Sequence, residues 1–253
     1  MLRIKNAFQP KAKIAYLTAG DGGVEKSVEY FLALAAGGAT LLEVGIPYSD
    51  PVADGPVIQL AMERALAAQT TVASSLEIVR QIRAKSAVAM ILFSYYNPIQ
   101  GNLYQFLQDA KNAGADGVLV VDLPYEEAAN YRHYCRQLGL SNITVIAPST
   151  TSARMEKILH GVDNGFVYYA CQKGTTGTRN GLPADLPEQL AKLRSVTDLP
   201  IAVGFGVANS AMVEEILRLA DGCVVGSYLV AKVAQNCTPA ELSTFTRELF
   251  DVA

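Results

Sequence analysis

Hydrophobic and polar residues follow two alternating patterns along the chain. Short runs rich in Val, Ile and Leu predict eight strands, at Lys13–Thr18, Leu41–Pro47, Ala87–Phe93, Gly117–Asp122, Asn142–Ala147, Gly165–Ala170, Pro200–Gly204 and Gly222–Val225. Longer segments repeat apolar residues at helical spacing and predict helices at Val24–Ala36, Ala73–Ala84, Leu103–Ala113, Glu126–Leu138, Ala153–Leu159, Leu186–Val196, Ser210–Leu219 and Pro239–Phe250. Each predicted strand is therefore followed by a helix.

The strand runs also indicate the kind of sheet. Gly117–Asp122 and Pro200–Gly204 are almost continuously apolar, which is typical of strands in a parallel sheet covered by helices on both faces. Eight such units in about 250 residues fit a (β/α)8 TIM barrel, with a doubly wound open sheet as the alternative. No linker or shift in composition divides the chain, so residues 1–253 are predicted to form a single TIM-barrel domain.

Composition and charge exclude several classes of protein. With 50% hydrophobic and 18% charged residues, the chain predicts a large core and not a disordered protein. A net charge of −3 excludes a basic nucleic-acid binder. We find no apolar run long enough for a membrane span, and the N-terminus lacks the features of a signal peptide. These observations predict a cytoplasmic protein with neither nucleic acid nor membrane as a partner.

The cysteines and histidines give no sign of a metal site. The four cysteines lie far apart, with no C-x-x-C pair, at Cys135, Cys171, Cys223 and Cys237. The two histidines have no further ligand at the spacing that a zinc site requires. We therefore predict reduced thiols and no metal.

Two connections after strands look longer than a compact barrel needs. Tyr48–Gln59 follows the second strand, and Cys171–Leu182 follows the sixth. Long loops at the carboxyl ends of barrel strands commonly carry function. The glycines of Cys171–Leu182 favour a lid that can close over the site, with a floppy connector as the alternative.

Two carboxylates point to acid–base chemistry. Glu43 lies inside the apolar strand Leu41–Pro47, where burial of a carboxyl raises its pKa towards the range useful at neutral pH. Pairing with a buried cation is the structural alternative, but no strand-end Arg or Lys is obvious nearby. Asp54, in the loop that follows this strand, is expected to lie at the same open end of the barrel. The two groups could divide the acid and electrostatic roles, unless Asp54 only forms a turn.

Glycines indicate where an anion could bind. Gly204–Gly206 ends the seventh strand, and Gly226 with Ser227 ends the eighth and opens a short helical run, Tyr228–Ala234. Backbone amides at such a helix start bind phosphate, and barrels commonly use these two loops. Close strand-to-helix packing is the alternative explanation of the glycines. The physical interpretation is a small phosphorylated substrate.

At this point the sequence resembles a known family. The segments that carry the resemblance are Leu42–Gln59, Tyr95–Pro98, Ala113–Gly117, Asp122–Pro124, Gly204–Gly206 and Gly226–Ser227. They are similar to those of tryptophan synthase alpha subunits, which cleave indole-3-glycerol phosphate to indole and glyceraldehyde 3-phosphate. The resemblance spans most of the chain.

The resemblance implies roles for individual residues. Glu43 is expected to be the acid–base residue at the substrate hydroxyl and at indole C3, and Asp54 to stabilise positive charge at the indole nitrogen. The expected substrate-binding residues are Tyr168, Thr176, Gly177, Phe205, Gly206, Gly226 and Ser227. Thr176 would be the lid threonine that meets the Tyr48–Gln59 loop on closure.

The resemblance also implies a partner. Asp50 and Pro51 lie in the segment that faces the tryptophan synthase beta subunit in the family, within an αββα heterotetramer that passes indole to the beta subunit. This chain would need no cofactor, because pyridoxal phosphate is expected only in the beta partner.

Some positions depart from the family pattern. Cys171 and Gln172 stand where Ser-Arg is usual, and Tyr228 replaces a small residue beside the phosphate-binding helix. The usual helix before the first strand is mostly missing. We therefore expect another part of the chain to cover the bottom of the barrel. These departures keep open a second hypothesis, a weakly active or inactive lyase that serves mainly as allosteric activator of the beta subunit. Another phosphate-binding barrel enzyme, such as an isomerase, is a third.

Overall fold

The strands form one parallel sheet in a computed structural model that describes residues 2–171 and 181–251. Within those residues the strands are β1 Ala12–Thr18, β2 Leu41–Gly45, β3 Ala89–Ser94, β4 Gly117–Val120, β5 Ser141–Asn142, β6 Thr144–Ile146, β7 Val167–Ala170, β8 Ile201–Gly204 and β9 Gly222–Val225. The sheet order is β5-β4-β3-β2-β1-β9-β8-β7-β6, and the paired strands run parallel.

The helices alternate with these strands. They are α1 Leu2–Ala7, α2 Val24–Ala36, α3 Pro56–Ala67, α4 Val72–Lys85, α5 Leu103–Ala113, α6 Ala129–Leu138, α7 Ser152–Leu159, α8 Leu186–Arg194, α9 Ser210–Leu219, α10 Ser227–Ala234 and α11 Pro239–Phe250. A 3-10 turn at Gln100–Asn102 precedes α5. Among the helices of residues 2–171 and 181–251, none is both long enough and apolar enough to cross a lipid bilayer.

The predicted fifth strand is divided in two, and this division closes the barrel. β5 pairs with β4, whereas β6 pairs with β7. The switch occurs between two successive amides, since Ile143 N donates to Val118 O at 3.0 Å and Thr144 N donates to Phe166 O at 3.4 Å. One run of chain thus joins both edges of the sheet, and the (β/α)8 barrel is confirmed.

A short helix before β1 covers the bottom of the barrel. The expectation that this cover must come from elsewhere in the chain was wrong. Ile4 of α1 is buried, and the ring of Phe8 just after it lies 5.2 Å from the ring of Phe166. A Cβ at Gly222, where β9 starts, would come within 3.0 Å of the Phe8 ring. The missing side chain at Gly222 therefore lets the Phe8 ring close the amino-terminal end of the strands.

The connection after β2 is shorter than predicted, because α3 begins inside it. Pro56 stands in the first helical turn, where its fixed φ is favourable and its missing N–H costs nothing. Ile58, Met62 and Ala65 then recur at helical spacing and are buried. The loop that carries Asp54 is therefore anchored directly to a packed helix.

Candidate active site

A cavity of about 190 Å³ opens at the carboxyl ends of the strands. Its lining comprises Tyr16, Glu43, Ala53, Asp54, Ile58, Phe93, Val121, Val145, Tyr168, Ala170, Gly204, Phe205, Gly206, Val224, Gly226 and Ser227. The structure thus brings the two sequence-predicted carboxylates together with the predicted anion-binding residues. This is the end of a barrel at which catalytic residues gather.

Glu43 lies on β2 with its side chain inside the barrel. It is only 1% exposed, between Tyr16 of β1 and Ile91 of β3 in the strand register. Oε1 accepts no hydrogen bond from residues 2–171 and 181–251. Burial disfavours the charged form and raises the pKa of Glu43 to about 8. The carboxyl is therefore protonated at neutral pH and able to donate a proton.

Asp54 occupies a different environment in the same cavity. The Tyr95 hydroxyl donates a 2.6 Å hydrogen bond to Oδ2 of Asp54 and itself accepts one from Ala53 N at 3.0 Å. Burial raises the pKa of Asp54 to about 6, while the hydrogen bond from Tyr95 opposes the rise. Asp54 is consequently ionised at pH 7, at which Glu43 is neutral.

Aromatic side chains form the inner wall of the cavity. The Tyr16 and Phe93 rings meet edge to face at 5.5 Å, and Phe93 meets Tyr168 similarly at 6.5 Å. Such a wall, in the same cavity as two carboxylates, suits a planar aromatic ligand that carries polar groups.

Two glycines make room for the wall tyrosines. A Cβ at Gly45 would lie 2.3 Å from the Tyr16 hydroxyl, and one at Gly204 would lie 2.4 Å from the Tyr168 hydroxyl. Gly204 therefore admits a tyrosine of the neighbouring strand β7, which is strand-to-strand packing and not the strand-to-helix packing considered above.

The rim formed by the ends of β8 and β9 keeps the features of an anion site. Gly206 has a φ of +65°, which favours glycine. The helix α10 begins at Ser227, which is 4% exposed, and its N-cap residue is Gly226, which provides no side-chain hydrogen bond to the first amides of the helix. Phe205, Gly206, Gly226 and Ser227 all line the cavity. The amides at the start of α10 can thus receive an anion.

Tyr228 does not belong to the described cavity lining. Lys232 lies 5.3 Å from its ring and 4.5 Å from the ring of Phe245 on α11. The bulky residue therefore packs beside α11, away from the anion rim.

Three sequence-predicted positions lie outside the described residues, namely Gln172, Thr176 and Gly177. Cys171, just before them, is buried. The lid remains a prediction. Asp50 and Pro51 are not in the cavity but line a separate exposed groove beside α3.

The sequence analysis did not predict that Tyr95 donates a hydrogen bond to Asp54 or that Tyr16 lines the cavity beside Glu43. Tyr95 comes directly after β3, at the strand end where barrel sites form, and this position was the available signal. Tyr16 stands opposite Glu43 in the β1–β2 register, which required the pairing to be known.

Comparisons with known proteins agree with this geometry. A family model described as "Tryptophan synthase alpha chain" matches residues 3–250. The chain belongs to the tryptophan synthase alpha chain family. It is 47% identical over 251 residues to the tryptophan synthase alpha chain of Coxiella burnetii (strain CbuK_Q154), covering 98% of this chain and 97% of that protein. The Chlamydia caviae tryptophan synthase alpha chain is 44% identical over 253 residues, with 98% of each covered.

The same family appears among solved structures. A structure of Mycobacterium tuberculosis tryptophan synthase matches with a TM-score of 0.90 at 33% identity, covering 98% of this chain and 96% of that chain. Membership of the tryptophan synthase alpha chain family confirms the predicted enzyme class, a carbon–carbon lyase of tryptophan biosynthesis.

Proposed function

We propose that this chain cleaves indole-3-glycerol phosphate by a retro-aldol reaction to indole and glyceraldehyde 3-phosphate. The observation that carries the proposal is the pair of differently tuned carboxyls, Glu43 and Asp54, in an aromatic-walled cavity with an anion rim. Family membership gives the reaction class, and the cavity supports the assignment of roles.

The reaction needs a proton added to indole C3 and a proton removed from the substrate hydroxyl. Glu43 gives its proton to indole C3, which leaves a positively charged ring nitrogen, and then takes the proton of the hydroxyl on the adjoining side-chain carbon. The bond between indole C3 and that carbon breaks, its electron pair returns to the ring, and the carbon becomes the aldehyde. A buried group with a pKa near 8 suits both transfers, because it is protonated at the start and basic enough to be reprotonated.

Asp54 stabilises the charge that develops in between. It is ionised at pH 7, and the cavity excludes most water from it, so its attraction for a cationic ring nitrogen is weakly screened. Tyr168 packs against the indole, and the backbone amides near Phe205, Gly206, Gly226 and Ser227 hold the phosphate. We also expect Thr176 and Gly177, which lie outside the described residues, to bind the substrate, as the family resemblance implies.

The proposal includes a partner. Solved relatives include a tryptophan synthase complex from Pyrococcus furiosus, at a TM-score of 0.85 and 33% identity. We infer that Asp50 and Pro51 contact a beta subunit in an αββα heterotetramer that receives indole, and that pyridoxal phosphate is bound by the beta subunit alone. Residues 1–253 act as one domain, in the cytoplasm.

One experiment separates the proposal from its alternative. Turnover of indole-3-glycerol phosphate is measured for the chain alone and with a beta subunit. Full turnover in the complex supports an active lyase, and a slow lyase with normal activation of the beta subunit supports the alternative that rests on Cys171-Gln172 and Tyr228. The packing of Tyr228 beside α11 favours the active lyase. Failure to cleave the substrate at all, with turnover of another phosphorylated compound, would overturn both.

A further inference from the structure

A second recess, here called the α6–α7 groove, lies between the strands of the barrel and the helices α6 and α7. It consists of two adjoining cavities, with volumes of about 370 Å³ and about 60 Å³. Tyr131 of α6 and Ile158 of α7 are among the apolar residues that line the larger cavity, and His160 lines the smaller one. Tyr125 and Arg132 line both. The groove is thus an apolar chamber with a small polar extension.

The groove lies where the wall of the barrel is discontinuous. The pairing of β4 with β5 ends at Val118 and Asn142, and β6 pairs with β7 instead. Beyond that point, Val121 and Val145 line both the active-site cavity and the larger cavity of the groove. These two valines therefore separate the groove from the candidate active site, and a ligand on either side would contact the same partition.

Two arginines give the groove a positive charge. Arg132 and Arg136 stand one helical turn apart on α6 and both line the smaller cavity, and neither forms an ion pair with a residue of 2–171 or 181–251. Arg154 of α7, by contrast, is paired with Glu126. Like charges at this spacing destabilise a helix. An anion bound between the two arginines would remove that repulsion.

Arg132 is held in place at the junction of the two cavities. Its guanidinium lies 4.1 Å from the centre of the Tyr125 ring, and Nη1 donates a 2.6 Å hydrogen bond to Tyr125 O. A guanidinium fixed by stacking keeps its other N–H groups in a rigid fork, which matches the oxygens of a carboxylate or a phosphate. The position of Arg132 therefore favours an oxyanion at this junction.

The acidic residues that border the groove are bonded to other groups. Asp122 accepts a 2.7 Å hydrogen bond from Tyr96 N, and Asp163 accepts one of 2.9 Å from Asn164 Nδ2. The other amide atom, Asn164 Oδ1, is buried and accepts no hydrogen bond from a described residue. It leaves the smaller cavity with a polar atom that a ligand hydroxyl or a water can satisfy.

We propose that the α6–α7 groove binds a small organic anion, whose phosphate or carboxylate lies between Arg132 and Arg136 and whose apolar part fills the larger cavity against Val121 and Val145. The two volumes fit this division, because the smaller cavity has room for an oxyanion and the larger one for a ring. This site goes beyond the proposed function, since it uses neither Glu43 nor the beta subunit.

Methyl NMR of the full chain, labelled at isoleucine and valine, follows the two cavities separately. Among their lining residues, Ile158 belongs to the groove and Ile58 to the active-site cavity, whereas Val121 and Val145 belong to both. The probe is phenyl phosphate, which joins an oxyanion to an apolar ring. We expect its titration to shift the Ile158 signal to saturation and to shift the signals of the two valines. The Kd of the groove is measured from Ile158, independently of any binding reported by Ile58.

Variants of the two arginines test the assigned contacts. Arg132→Met and Arg136→Met should each raise the Kd measured from Ile158 about 10-fold, the effect of losing one charge-assisted hydrogen bond. The Kd measured from Ile58 should not change. Arg218→Met removes an arginine of α9 that pairs with Glu214, so it serves as the matched control and should leave both constants as in wild type. Because the Arg136 side chain is exposed, Arg136→Met decides if Arg132→Met fails to fold.

Two further probes test the charge of the ligand. Benzoate replaces the phosphate by a carboxylate, and benzyl alcohol has no charge. Binding of phenyl phosphate or benzoate at Ile158 that weakens in the arginine variants supports the site, and the tighter probe identifies the oxyanion. Equal binding of benzyl alcohol, an Ile158 signal that neither anion shifts, or constants unchanged in the arginine variants would overturn it. None of these measurements uses turnover, so failure of the proposed reaction is detected separately.

Discussion

The strand β2 and the loop that follows it each supply one carboxyl to the same cavity, and the two groups are held in opposite ways. Glu43, on the strand, has an oxygen without a hydrogen-bond partner among the described residues and a pKa of about 8. Asp54, on the loop, receives the Tyr95 hydroxyl and has a pKa of about 6. The comparison teaches that one hydrogen bond and one difference in burial are enough to give two chemically similar groups different charges at pH 7.

The strongest test of this difference removes the proton of Glu43. Glu43→Gln should lower lyase kcat by about 10²–10⁴-fold, since the amide cannot transfer a proton to indole C3. Steady-state production of indole measures the change, and co-purification with the beta subunit should be as for wild type. An unaltered kcat would remove Glu43 from its assigned role.

Neutralising the other carboxyl should also lower kcat strongly, but less than the change at Glu43. Asp54→Asn keeps the shape of the side chain and its contact with Tyr95 but removes the negative charge opposite the indole nitrogen. We expect kcat to fall about 10²-fold, as for loss of one preorganised electrostatic contact. Single-turnover cleavage measures the chemical step directly, and a loss confined to KM would contradict the role.

The raised pKa of Glu43 predicts a pH-dependent stability. The folded state binds this proton more tightly than the unfolded chain, so the contribution of Glu43 to stability is full below pH 4.5 and is lost as pH rises towards 8. Relative to Glu43→Gln, wild type should lose on the order of 3 kcal/mol of unfolding free energy between pH 4 and pH 7. Urea unfolding at several pH values tests this, and parallel curves for the two proteins would contradict the shift.

Removing the hydrogen bond that distinguishes Asp54 should have the smallest effect. Tyr95→Phe retains the ring that meets Tyr48 but withdraws the donor, so the pKa of Asp54 should rise further. Since the ionised form is the active one, the acidic limb of the kcat/KM profile should move to higher pH, with a loss of a few-fold at pH 7. Tyr96→Phe, at the neighbouring position, should leave that limb where it is.

Local patterns in the sequence predicted most of the fold. The predicted bounds of Val24–Ala36, Leu103–Ala113 and Pro239–Phe250 equal those of α2, α5 and α11. Their apolar periodicity is strong, and caps such as Asn102, whose side chain accepts from Gln105 N, mark their starts.

The errors arose where the local signal was ambiguous or absent. The proline and glycine around Asp54 resemble a loop and hid the start of α3. The break between β5 and β6 depends on which neighbours the chain meets, and no local property of Asn142–Ala147 encodes it.

The sequence by itself determined that an acid stands in an apolar strand, that glycines follow two later strands, and that the surrounding motifs are those of the tryptophan synthase alpha chain family. Only the tertiary structure decided that Tyr95 reaches Asp54, that Gly45 and Gly204 admit the hydroxyls of Tyr16 and Tyr168, and that the side-chain amide of Gln59 donates to the carbonyl oxygen of Asp54. The reason is physical. Residue type and local pattern specify the helices and strands, whereas burial, hydrogen bonding and hence the charge of a carboxyl are set by side chains far away in sequence.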